Sequence, residues 1–125
     1  DFIGTSTSSR TFVDIPGFSL TFFLDREAEC LLYMNLWANV YSAGSNASGL
    51  YQMVLDGLGM AETERVFGID VGNAESGVSC SGAVTALTKR ILSPGQHTLK
   101  GQFAADTDSI TTALTRTIGV LALTR

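Results

Sequence analysis

The one histidine of the chain, His97, lies in the stretch "SPGQHTLKGQF" beside Pro94, one of two prolines. An imidazole with an ordinary pKa near ~6.5 is the side chain best suited to general acid–base work at neutral pH. Ser93, His97 and Asp106 supply the residue types of a nucleophile, a base and an orienting carboxylate. Serine is abundant, however, and no GxSxG elbow frames Ser93. The expectation is that His97 hydrogen-bonds its own loop and that no residue is catalytic.

Other candidate chemistry is equally sparse. Asp106 and Asp108 of "DTD" offer two carboxylates to a calcium ion, which needs about six to eight oxygens, and no EF-hand-like run follows. They read as a solvated loop, and Glu62 and Glu64 of "ETE" as an exposed strand edge. One histidine and two distant cysteines make no zinc set, and the glycines form neither GxGxxG nor a Walker pattern. Neither metal nor cofactor is expected. Cys30 and Cys80 are open to two readings: a disulfide closing a long loop, or two small buried thiols.

The chain that must position these residues has 125 of them, enough for one domain with a true core. Eight basic residues against twelve acidic ones give a net charge of −4 without a basic stripe, so nucleic acid is not an expected partner. No apolar run approaches the roughly 18 residues of a membrane helix, so no membrane insertion is expected. Asp1 in place of an initiator Met suggests a removed leader or a piece of a longer protein. The triplet "NAS" makes Asn46 a possible glycosylation site in an exposed loop.

Period-two patterning dominates. Residues 1–10, "DFIGTSTSSR", read as a polar arm with Phe2 and Ile3 as apolar anchors, and residues 11–125 as the domain. Phe18, Leu20, Phe22 and Leu24 alternate after a break at Pro16-Gly17. In "LLYMNLWANVY" the set Leu32, Met34, Leu36, Ala38 and Val40 reads as core. The other set, Tyr33, Asn35, Trp37, Asn39 and Tyr41, is too polar for a core and too aromatic for plain solvent. That face has three readings: a subunit interface, a second core layer or a sugar platform. The interleaved Asn35 and Asn39 favour the interface, where a neighbouring subunit satisfies them. Asp56-Gly57 marks a two-residue hairpin. "DREAECLLYM" and "MAETERVF" are locally helix-friendly, but the flanking alternation is longer and makes them turns into strands. About eight short strands with Gly-rich turns predict an all-β antiparallel sandwich of jelly-roll type with an extended N-terminal arm.

The order "TSTSSRTFVDIPGFSLTF", "LLYMNLWANVYS", "GLYQMVLDG", "ILSPGQHTLKGQF", "RTIGVLAL" resembles small jelly-roll domains of the tumour-necrosis-factor and complement-C1q type. Such domains occur in phage tail fibres, virion surface proteins and bacterial extracellular proteins. The resemblance spans most of residues 5 to 123, and "DREAEC" departs from it in being more charged than the expected turn. It implies that "SPGQHTLKGQF" turns the chain into a late strand, and that the domain is trimeric and extracellular or on a virion surface. The leading expectation is a non-enzymatic structural protein whose main partner is itself, serving as a fibre head, decoration or attachment module. One alternative is a filament joined by exchange of the N-terminal strand. Another is a carbohydrate-binding module using Trp37 and Tyr41, with a host-surface glycan or receptor as partner.

Overall fold

The structure, a computed structural model, describes residues 4–72 and 77–123. Among these are nine strands: β1 Thr5–Thr7, β2 Val13–Leu24, β3 Ala28–Ser42, β4 Asn46–Leu55, β5 Leu58–Gly59, β6 Arg65–Asp70, β7 Val78–Leu92, β8 Gly95–Ala105 and β9 Ser109–Leu123. Their alternating side chains decide which way each strand faces.

Two antiparallel sheets form the sandwich, one in the order β1-β9-β3-β7 and the other β2-β8-β4, with β5 and β6 both paired to β4. The pairs β1–β9, β2–β8, β3–β7 and β4–β6 are nested one inside the next. The chain is therefore one long antiparallel ribbon, folded over so that β9 also meets β3 and β8 also meets β4. That wrapping is a jelly roll, and the fold is the all-β sandwich the patterning predicts.

Between the sheets lie Cys30, Leu32, Met34, Leu36, Ala38 and Val40 from β3, all buried, against Tyr51 and Met53 of β4 and Leu99 and Phe103 of β8. The Tyr51 hydroxyl hydrogen-bonds Thr111 Oγ1 across the sheets. Burial pushes the Tyr51 phenol up to about 12, outweighing that bond, so it stays protonated throughout the neutral range.

Three local expectations are refined. Pro16-Gly17 kinks β2 without ending it: Asp14 pairs with Gln102 and Ser19 with Lys100, the extra residues bulge out, and Gly17 takes φ 73°. The helix-friendly "MAETERVF" contains one 3-10 turn, Ala61–Thr63, held by the buried Thr63 hydroxyl donating to the Met60 carbonyl. "DREAECLLYM" enters β3 at Ala28 with no helix. The arm is described from Gly4 onward, where Thr5–Thr7 pair with Thr111–Ala113 of the same chain and the Ser9 carbonyl accepts from Ala105 N–H. Phe2 and Ile3 lie outside the described residues.

Candidate functional site

The face of the β1-β9-β3-β7 sheet that points away from the core carries the second alternating set of β3. Register places Tyr41 beside Ser79, Asn39 beside Ser81, Trp37 beside Ala83, Asn35 beside Thr85, Tyr33 beside Leu87 and Leu31 beside Lys89. On the other side of β3, Asn35 pairs with Thr117, Tyr33 with Gly119 and Leu31 with Leu121. The residues Tyr33, Trp37, Tyr41, Leu87, Ile91, Ile110 and Leu121 on this face are all exposed. Tyr33 lies over Gly119, where any β-carbon would strike its ring.

The reading of this face as a second core layer does not hold: Trp37 is 48% exposed. Asn35 and Asn39 find partners without another subunit. Asn39 Nδ2 donates to Ser81 Oγ at 2.8 Å, and Asn35 Oδ1 accepts from the Thr85 hydroxyl at 3.1 Å, both within the chain. What distinguishes the face is its lack of charge. Among the described outward residues of β3, β7 and β9, the charges are Glu29 and Lys89, an ion pair at 3.4 Å near one end. The outer face of the other sheet carries a polar network instead. Asp14 accepts from Lys100 at 3.1 Å and from Gln102 at 2.9 Å, and Gln52 donates on to Gln102. Those bonds, Gln102 foremost and then Lys100, hold the Asp14 carboxyl below its usual range against a small burial effect.

Midway along the uncharged face, β9 is irregular. Arg116 pairs with Leu36, yet the next paired residue is Ala113 opposite Ala38, so Leu114 and Thr115 both stand against Trp37. The Arg116 guanidinium holds this bulge, donating to the carbonyls of Ala113, Leu114 and Pro16. With small Ala83 on the far side of Trp37, the bulge leaves a hollow of about 290 Å³ lined by Asn35, Trp37, Ala83, Thr115 and Thr117 among others. The bulge was missed at the sequence level, and no local signal marks it.

The residues with catalytic types are not assembled. His97 is buried; its Nδ1 meets Asp56 Oδ2 at 2.6 Å, its Nε2 meets the Ser93 carbonyl at 2.8 Å, and its ring stacks on Phe22. Serine thus contributes its backbone and not its hydroxyl, and the carboxylate is Asp56 of the hairpin turn. Asp106 follows the far end of β8, where its oxygens accept from Thr107 N–H at 2.7 Å and Ser48 Oγ at 3.0 Å. These two bonds lower its pKa. Ser45, Asn46, Asp106, Asp108 and Ser109 line a polar hollow of about 800 Å³ at that end. No group of three or more potential metal ligands occurs among the described residues. Asn46 is exposed but opens β4, paired with Asp70, in place of the expected loop position. Glu62 is not on a strand edge: it sits in the 3-10 turn and accepts from Arg90 and Thr88 of β7.

A disulfide between Cys30 and Cys80 is ruled out by register. Cys30 stands opposite Arg90 and Cys80 opposite Val40, which at about 3.3 Å per residue separates them by roughly 30 Å. Both are free thiols, and burial raises the pKa of each.

No family model matches this chain, and no curated protein matches it in sequence. Among solved structures it is similar to the Eiger tumour necrosis factor of S. frugiperda, at 9% identity and TM-score 0.44, over 98% of this chain and 93% of that one. It is also similar to a family 35 carbohydrate-binding module from Clostridium thermocellum, at 8% identity and TM-score 0.36, over 96% of this chain and 92% of that one. The sugar-binding C-terminal domain of EclA follows at 13% identity and TM-score 0.38, over 95% and 79%. These are likenesses of architecture.

Proposed function

We propose that this chain is a non-enzymatic structural module that associates with copies of itself on the exterior of a virion or cell, as a trimeric fibre head, decoration or attachment domain. The observation that carries the reading is the apolar band at the β2–β3 end of the uncharged face. Leu31 and Tyr33 of β3, Leu87 and Ile91 of β7, and Leu121 of β9 lie on three adjacent strands around the Glu29–Lys89 ion pair. Leu87, Ile91 and Leu121 are each more than half exposed. An exposed apolar band on an otherwise folded domain costs free energy until something covers it. A second copy of the same band is the simplest cover, because the charges within it, Glu29 and Lys89, already pair with each other.

Sedimentation with negative-stain imaging across a concentration range tests this. A discrete trimer that the double variant Leu87→Lys, Ile91→Lys reduces to a folded monomer supports the proposal. A wild-type protein that stays monomeric at all concentrations overturns it. Threads that lengthen with concentration instead support the filament, in which the short pairing of Thr5–Thr7 moves from its own β9 to a neighbour's.

A further inference from the structure

The hollow at the β9 bulge is a feature that self-association through the apolar band does not use. It lies about 13 Å along β3 from Tyr33, four residues away at about 3.3 Å each. Its making is local: two β9 residues face one β3 residue, Trp37. Bulges of this kind re-aim side chains and are enriched beside binding sites. Here the bulge exposes one side of an indole, while alanine at position 83 keeps the other side low.

Besides Arg116, the polar groups around that indole are uncharged hydrogen-bonding ones. Thr115 and Thr117 bring hydroxyls, each a donor and an acceptor, and Asn35 brings an amide whose Oδ1 already accepts from Thr85. The Arg116 guanidinium, which lines the hollow, donates to three backbone carbonyls. A flat apolar surface bordered by neutral donors and acceptors fits a ligand with an apolar face and a hydroxylated rim. An anion meets there a single cation already bonded to three carbonyls, and a purely apolar ligand leaves the hydroxyls unpaired.

We propose that the hollow beside Trp37 binds a single pyranose unit of a neutral glycan, the sugar face stacked on the indole and its hydroxyls bonded to Asn35, Thr115 and Thr117. Tyr41, higher on the same strand, takes no part. The site does not depend on the trimer.

Trp37 is the chain's one tryptophan, so its emission reports this hollow alone. The experiment titrates the full chain with glucose, galactose, mannose, N-acetylglucosamine and xylose separately, up to about 100 mM. A saturable emission change with one of them, weakened ten-fold or more by Thr117→Val and unchanged by Tyr41→Ala, is the expected result. Thr117→Val is nearly isosteric on an exposed position, so the fold is kept. No change with any of the five sugars overturns the site, as does a response that Thr117→Val leaves intact. Emission that shifts with protein concentration and not with sugar also overturns it, while leaving self-association standing.

Discussion

Asp56 and His97 are 41 residues apart in sequence and meet at 2.6 Å, Oδ2 to Nδ1. The other Asp56 oxygen accepts the Thr98 N–H at 2.8 Å, and the other His97 nitrogen faces the Ser93 carbonyl at 2.8 Å. Asp56 and Gly57 both have positive φ, 51° and 84°, as a two-residue hairpin turn between β4 and β5 requires. The pair therefore ties that turn to β8. Because both ring nitrogens face acceptors, the doubly protonated imidazolium satisfies the site and a neutral ring leaves one lone pair against an acceptor.

The pair makes folding pH-dependent. The Asp56 bond, then the Ser93 carbonyl, raise His97 above 6.5 despite burial, so its contribution is whole below 6.5 and is lost as pH rises through the folded value. Burial pushes Asp56 up, but His97 and the Thr98 N–H outweigh it and hold the carboxyl below 3.8. Its contribution is whole above 3.8 and is lost as pH falls through the lowered value. Urea unfolding at pH 5.5 should show Asp56→Asn less stable than wild type by about 1–3 kcal/mol. That gap should shrink toward pH 9; a gap constant from pH 5.5 to 9 would mean that His97 does not titrate in this range.

The two faces of the β3–β7 pair should respond very differently to truncation. Leu32→Ala empties a fully buried site and should cost about 2–5 kcal/mol. Leu87→Ala removes an exposed side chain of β7 opposite Tyr33 and should change the stability of the monomer by less than about 0.5 kcal/mol. Equal costs in chemical denaturation of the monomer would show that the outer face is packed in solution.

Gly101 of β8 sits beneath Phe18, and a β-carbon there would enter the ring. Gly101→Ala should destabilise by about 1–3 kcal/mol through overpacking, read as a lower urea midpoint. A neutral result would require Phe18 to have room to move.

Thiol chemistry checks the register of β3 against β7. Two free thiols should be counted after unfolding without reductant, and reductant should leave the urea midpoint unchanged. In the folded protein Cys80, only partly buried, should label faster than fully buried Cys30. A reductant-sensitive midpoint would contradict the pairing of Cys80 with Val40.

Alternation alone determined the class of this protein. The buried set Leu32, Met34, Leu36, Ala38 and Val40, the exposed set from Tyr33 to Tyr41 and the hairpin at Asp56-Gly57 follow from the two-residue period of a strand and the φ values that Asp-Gly tolerates. Tertiary structure decided what stands beside what. Asn35 and Asn39 find Thr85 and Ser81, His97 finds Asp56 and not Asp106, the cysteines are held far apart, and β9 bulges beside Trp37. Each of these depends on the register between strands distant in the chain. Register is set by the packing of the whole sandwich, and a linear period does not encode it.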